Sequence, residues 1–189
     1  MNRREFISKT GIILTSGIIT TELSANDEDF LLSFIRDKNQ EKRELHLINT
    51  HTGEEFKEVF KENGLFKRKA IAEFIHFMRD YRTGEMTYID PGLLDYLYDI
   101  KEKLDTDKPF YVLSGYRTKK TNEMLRKHYH GVAKHSLHIK GKAIDITSEH
   151  KSTKEIAKVA RSLKKGGVGQ YNKSHFVHVD TGRVRHWYG

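Results

Sequence analysis

Two short stretches of this 189-residue chain carry side chains that could hold a metal ion. The first is Ser136-Leu137-His138-Ile139-Lys140-Gly141-Lys142-Ala143-Ile144-Asp145. The second is His175-Phe176-Val177-His178-Val179-Asp180. Of 11 histidines, eight fall between His128 and His186. Cysteine is absent, which excludes thiolate zinc sites, iron–sulfur clusters, disulfides and a cysteine nucleophile together. Any metal must therefore sit on His, Asp or Glu. Two histidines and one aspartate make an open zinc site, because three protein ligands leave the fourth tetrahedral position to water or substrate. Such an ion polarises a carbonyl and acidifies water. A single histidine is more often structural or solvated than a ligand. The joint spacing of the two stretches is what favours a metal.

The elements around these stretches must bring them together. Glu44–Asn49 alternates, with Leu45, Leu47 and Asn49 on one face, and reads as a strand. Thr52-Gly53 is a turn signal, after which Glu55–Phe60 returns as the second strand of a hairpin. Lys69–Tyr81 has helical spacing, and Asp90-Pro91 opens a second amphipathic helix carrying Leu93, Leu94, Leu97, Ile100 and Leu104. Phe110–Leu113 is a buried strand and Thr118–Arg126 a short helix. Lys142–Ile146 is a strand, Thr153–Leu163 a helix, and Val168–Tyr171 with Phe176–Val179 a closing hairpin. Several links are too short for crossover helices, so the pattern predicts an α+β fold with an antiparallel sheet. A turn at Gly141 would set His138 near the start of the strand bearing Asp145. A neighbouring antiparallel strand would bring His178 beside that aspartate.

Composition sets bounds on the whole. Hydrophobic residues make up 37% of the chain, enough for one core, and the length suits one domain. No stretch approaches the roughly 20 apolar residues of a helical membrane span. The formal net charge is +8, which favours an anionic partner. The basic residues are scattered and lack an aromatic-basic motif, so nucleic acid is not expected as a partner.

The first 25 residues read as an export signal. Arg3-Arg4 precedes Phe6, Ile7 and Lys9, and resembles the bacterial twin-arginine pattern. The apolar run Gly11–Ile19 is too short to span a bilayer stably, and Ser24-Ala25 offers small residues for cleavage. Residues 26–43 read as a polar linker with one short helix around Phe30–Ile35. The working domain then covers residues 44–189, in the periplasm and as a monomer.

Taken together, Ser136-x-His138-x-x-Gly141-x-Ala143-x-Asp145 and the later His178-Val179-Asp180 resemble the D-alanyl-D-alanine metallopeptidase group of the LAS zinc peptidases. Ser114-Gly115-Tyr116-Arg117, Thr121-Asn122, Gly131-Val132-Ala133-Lys134, Gly166-Gly167-Val168-Gly169 and Phe176–Gly182 point to the periplasmic murein endopeptidase branch. Arg82-Thr83-Gly84-Glu85 and Ile89-Asp90-Pro91 extend the likeness upstream. The resemblance runs from about Glu44 to Trp187.

The resemblance implies a small α+β peptidase with a central antiparallel sheet and a Zn2+ cofactor, acting on the peptide stems of peptidoglycan. It implies His138, Asp145 and His178 as ligands, and Arg117 as the group facing the scissile carbonyl oxygen. Ser136 would either bond a ligand carboxylate or steady its own turn. Asp180 would either orient a ligand or pair with an arginine. Relatives often place Glu or Asp three residues before the last ligand, as general base. Here that position is His175, with His135 as the other candidate. A regular strand would point His175 away from His178, so a bend is required there. The unusual base leaves a zinc protein that binds peptidoglycan without cutting it as the rival reading, and a D-Ala-D-Ala carboxypeptidase as another. Export itself is testable. Replacing Arg3-Arg4 by Lys-Lys keeps the charge but removes guanidinium contacts, so cell fractionation should find the precursor held in the cytoplasm; normal delivery would point to the general secretory route.

Overall fold

A computed structural model describes residues 42–129 and 131–189. The expected export signal and linker helix lie outside the described residues. Strand β1 (Lys42–Asn49) begins two residues before the expected domain start, and its inward residues alternate as the sequence predicts. The Asn49 side chain accepts the backbone N–H groups of His51 and Thr52, closing the turn into β2 (Glu55–Glu62). A two-residue strand, β3 (Leu65–Phe66), continues the meander.

Helix α1 (Arg68–Phe77) ends one turn earlier than the apolar spacing suggests. Its last carbonyls are needed elsewhere. The Met78 carbonyl accepts the Tyr116 N–H at 2.7 Å, and Asp80 turns inward to accept Thr118 through both N–H (2.9 Å) and Oγ1 (3.0 Å). Helix α2 (Gly92–Lys103) starts where Asp90 accepts the Gly92 N–H. It buries Leu93, Leu94, Leu97 and Ile100 as expected, and Tyr96 as well. Strand β4 (Phe110–Ser114) leads to α3 (Lys119–His128), capped by the Thr118 side chain.

A short 3-10 turn (Leu137–Lys140) precedes β5 (Ala143–Thr147). Helix α4 (Thr153–Leu163) opens on a capping box in which Ser152 and Glu155 satisfy each other's backbone N–H groups. Strands β6 (Gly167–Tyr171) and β7 (Phe176–Asp180) form the predicted hairpin. Strand β8 (Arg185–Tyr188) was not expected from the sequence. It is four residues long, follows a charged turn, and owes its place to parallel pairing with β6.

The eight strands form one sheet in the order β3-β2-β1-β4-β5-β7-β6-β8. It is mostly antiparallel; β1–β4 and β6–β8 are the parallel joints. The fold is therefore α+β. Helices α1, α2 and α4 pack on the sheet, and the buried Tyr96 hydroxyl ties α2 to α4 by donating to the Ala160 carbonyl at 3.0 Å. Ile144, Ile146, Val177 and Val179 point into that apolar core. The two-residue period of a strand then puts Asp145, His178 and Asp180 on the opposite face. Burying the aliphatic half of β5 and β7 thus fixes which way the polar half points. No helix among the described residues is long and apolar enough to cross a membrane.

Asp80 pins the end of α1 to the start of α3. Burial alone would raise its pKa, but hydrogen bonds from Thr121, Thr118 and Arg82 outweigh this and lower it. Its contribution to stability is therefore complete above the unfolded carboxylate range, near pH 4, and fades as pH falls through the folded value. Asp80→Asn should lose on the order of 1–3 kcal/mol at pH 7. That difference should shrink in denaturant titrations carried out below about pH 4.

Candidate metal centre

Asp145 and His178 stand directly opposite each other in the β5–β7 register. His138 reaches them from the 3-10 turn. Ser136 caps this turn by accepting the His138 N–H, and Gly141 closes it in the left-handed conformation at φ 63°. Any side chain at Gly141 would collide with the Tyr88 carbonyl. Gly141 in turn accepts the Asp90 N–H at 2.9 Å. A residue with a Cβ there would open the turn and carry His138 away.

One ligand-capable atom from each residue lies within 4.8 Å of the other two. His138 Nε2 is 3.2 Å from Asp145 Oδ1, His178 Nδ1 is 2.9 Å from the same oxygen, and the two ring nitrogens are 3.1 Å apart. The outer nitrogens decide where the protons are. His138 Nδ1 is 2.7 Å from the Gly115 carbonyl, and His178 Nε2 is 3.0 Å from Asp180 Oδ2. Both partners can only accept, so each outer nitrogen carries the hydrogen. In the neutral rings the inner nitrogens then present lone pairs towards a carboxylate. Three acceptors converge with no proton among them, and a cation satisfies all three. Two imidazoles and one carboxylate are the donor set of an open zinc site. The acceptors behind the rings are the outer-shell partners such a site uses.

Without a metal, His178, whose pKa is raised, can take a second proton on Nδ1 and donate it to Asp145, so a proton stands where a cation would. Burial pushes the His138 pKa down to about 4, against the pull of Asp145. Burial also opposes charging of His178, but hydrogen bonds to Asp145 and Asp180 outweigh it and raise its pKa. For Asp145, burial would raise the pKa; the two imidazoles overcome that and hold it well below the carboxylate range. Asp180 is fully buried and also held low. Burial is outweighed there by bonds from His178, from both Arg185 amino groups and from the Gly182 N–H.

The cleft over these residues holds about 390 Å³. Arg117 lines it, but its guanidinium also grips the centre: Nη2 donates to Asp145 Oδ2 at 2.9 Å and Nε to Ser114 Oγ at 2.8 Å. Ser136 steadies its own turn and makes no bond to Asp145 among the described residues. Asp180 does both things expected of it, orienting His178 and pairing with Arg185. His175 is exposed in the β6–β7 turn with φ 53°, which supplies the break in the strand that its proposed role requires. It does not line the cleft, although its neighbours Ser174 and Phe176 do; His135 does line it.

Sequence reading missed three contributors. The Gly115 carbonyl is invisible because it is backbone. Arg185 was not singled out, because its partner lies across a turn. Trp187 packs its ring 5.2 Å from that of His178 and donates to the Tyr171 hydroxyl, and the absence of a side chain at Gly169 leaves room for it. As the only tryptophan of the chain, it offered a signal.

Comparison with known proteins finds relatives over nearly the whole chain. The family model described as Peptidoglycan L,D-endopeptidase MepK matches residues 37–187. Peptidoglycan L,D-endopeptidase MepK of Escherichia coli K12 is 42% identical over 186 residues, covering 98% of this chain and 97% of the relative. The probable peptidoglycan L,D-endopeptidase MepK of Haemophilus influenzae is 36% identical over 189 residues, covering 100% and 96%. No solved structure matches the chain significantly.

The hydrogen-bond pattern makes a spectroscopic prediction. In metal-free protein, His138 should remain a neutral Nδ1–H tautomer as pH is lowered past 6, gaining its second proton only near pH 4. Long-range proton–nitrogen NMR of the ring would show this. An Nε2–H tautomer, or titration near pH 6.5, would contradict the arrangement.

Proposed function

This chain belongs to the family of peptidoglycan L,D-endopeptidase MepK, within the LAS peptidases its motifs resemble, and we propose that it is a zinc-dependent endopeptidase that cuts peptide cross-links of peptidoglycan in the periplasm. The observation carrying this reading is the convergence of two ring nitrogens and one carboxylate oxygen, with the outer ring nitrogens facing a backbone carbonyl and a second carboxylate. His138, Asp145 and His178 would hold the metal. When bound, zinc supplies a Lewis acid for the scissile carbonyl and an activated water.

The rest is work for the chain's own side chains. Arg117 is fixed by Ser114 and Asp145 at the cleft wall. Its Nη1 has no protein partner among the described residues, so it is free to donate to the carbonyl oxygen as negative charge develops there. His175 takes the proton from the attacking water and returns it to the leaving amine. His175 stands in the β6–β7 turn outside the cleft lining, so this role requires its side chain to turn inward. The relatives' names specify an L,D bond. Cross-links from D-alanine, and the terminal D-Ala-D-Ala, join two D centres. Of the D-alanyl-to-diaminopimelate, diaminopimelate-to-diaminopimelate and D-Ala-D-Ala bonds, that leaves the diaminopimelate-to-diaminopimelate link.

Protein purified without added metal should carry close to one equivalent of zinc by elemental analysis. His138→Ala should abolish that binding, and chelator should stop the release of muropeptides seen by mass analysis. Full activity in excess chelator would overturn the zinc reading. Because Arg117 touches a ligand, Arg117→Ala should weaken metal binding about 10–100-fold. Assayed at saturating zinc, it should still lower kcat on the order of 10² to 10³. His175→Ala should retain zinc, lose about 10² to 10⁴ in rate and lose one limb of the pH–rate profile. Near-normal activity of that variant would move the base to His135, which lines the cleft.

A further inference from the structure

Next to the metal cleft lies a second groove, formed between α3 and the segment running from Lys134 through the 3-10 turn. The two share His135 and Ser136, so they adjoin. Lys119, Arg126, Lys134 and Lys140 line this groove, and Glu123 is its one carboxylate. These four cations are exposed. None makes an ion pair among the described residues.

Among the described residues, some cations of the domain are paired and others, such as Lys108 and Lys158, are not; what marks the groove is that four unpaired cations line one concave surface. Arg43, Lys61 and Arg79 are neutralised by Asp95, Asp99 and Glu54. In the groove, positive charge is gathered beside the cleft and left uncompensated. Asn122 also lines the groove. Its Nδ2 donates to the Ala133 carbonyl and so fixes one wall, while its Oδ1 is buried without a donor. A ligand suited to this surface brings several carboxylates and at least one N–H.

We propose that this groove binds the carboxylate-bearing peptide strand that continues from the scissile bond, and so selects substrates whose stems carry free carboxylates. The proposal rests on the peptidase reading above, since it assigns the groove to the same substrate. Its physical basis is charge complementarity focused by a concave wall beside the cleft. An acidic stem leaving the cleft past His135 meets Lys134 and Lys140 on one side and Lys119 and Arg126 on the other. An amidated stem of the same shape meets the groove without charge and gains little. The groove acts on substrate binding and leaves the chemical step alone.

The test uses the zinc-loaded full chain with two synthetic cross-linked stem peptides, one with free carboxylates and one amidated. Binding is measured by calorimetry, and hydrolysis by chromatography. The free-carboxylate peptide should bind about 10-fold more tightly at low salt, and the advantage should shrink as salt screens it. Arg126→Glu with Lys134→Glu should abolish that advantage, raising KM on the order of 10-fold with kcat within about 2-fold. The milder Arg126→Gln with Lys134→Gln should fall between, and guards against misfolding of the reversal variant. Lys108→Glu with Lys158→Glu changes net charge equally on exposed residues outside the groove, and should leave KM unchanged. Equal binding of the two peptides by the parent protein, or equal losses in the groove and control variants, would overturn the proposal. Failure of the peptidase reading looks different: the free-carboxylate peptide would bind with its groove-dependent preference intact and never be cut.

Discussion

The carboxylate of Asp145 is the point on which the candidate site turns. One oxygen faces both imidazoles and the other accepts Arg117. The group is almost wholly inaccessible to water, and an isolated charge so placed would be strongly disfavoured. It is tolerated because every direction around it holds a donor, a cation or room for one. Removing one member leaves the others with uncompensated charge, which costs far more than a surface pair does. The site is in this sense a single electrostatic unit.

The sheet is what makes that unit rigid. Asp145 sits on β5, flanked by β4 and β7, so neither neighbour can shift without breaking ladder hydrogen bonds. Ile144 and Ile146 on the same strand are locked into the apolar core on the far side. A register slip of one residue would turn these isoleucines outward and the aspartate into the core. The same holds for Val177, His178 and Val179 on β7. Aliphatic packing on one face therefore specifies the polar geometry on the other.

Around the centre, a wider shell trades flexibility for order. Asp180 gathers His178, Arg185 and two backbone N–H groups. Trp187 and the stacked rings of Tyr171 and Phe176 wall one side of the cleft. On the opposite side the wall becomes polar and basic where α3 approaches. The cleft thus has an apolar wall, a His/Asp floor that could hold a metal, and a basic groove beside it.

Much of this was legible in the chain itself. Period-two and helical patterns gave most strands and helices, and the absence of cysteine with clustered histidines narrowed the chemistry to a His/Asp centre. The α+β class followed from links too short for crossovers. Other features needed the tertiary structure. Helix α1 stops early because Asp80 and the Met78 carbonyl are claimed by residues more than 35 positions away. Strand β8 exists only because β6 offers it an edge. Asp180 lies two residues from His178 and was open to view, whereas the tautomer of His138 depends on the Gly115 carbonyl, which sequence spacing does not connect to the ring. Arg117 grips Asp145 for a similar reason, since the pairing of β4 with β5 brings the two together. Residue types determine which chemistry is possible, because pKa, charge and ligand preference are local properties. Which lone pairs meet, and where the protons stand between them, is decided by long-range packing, because only the folded chain sets those atoms within hydrogen-bond distance.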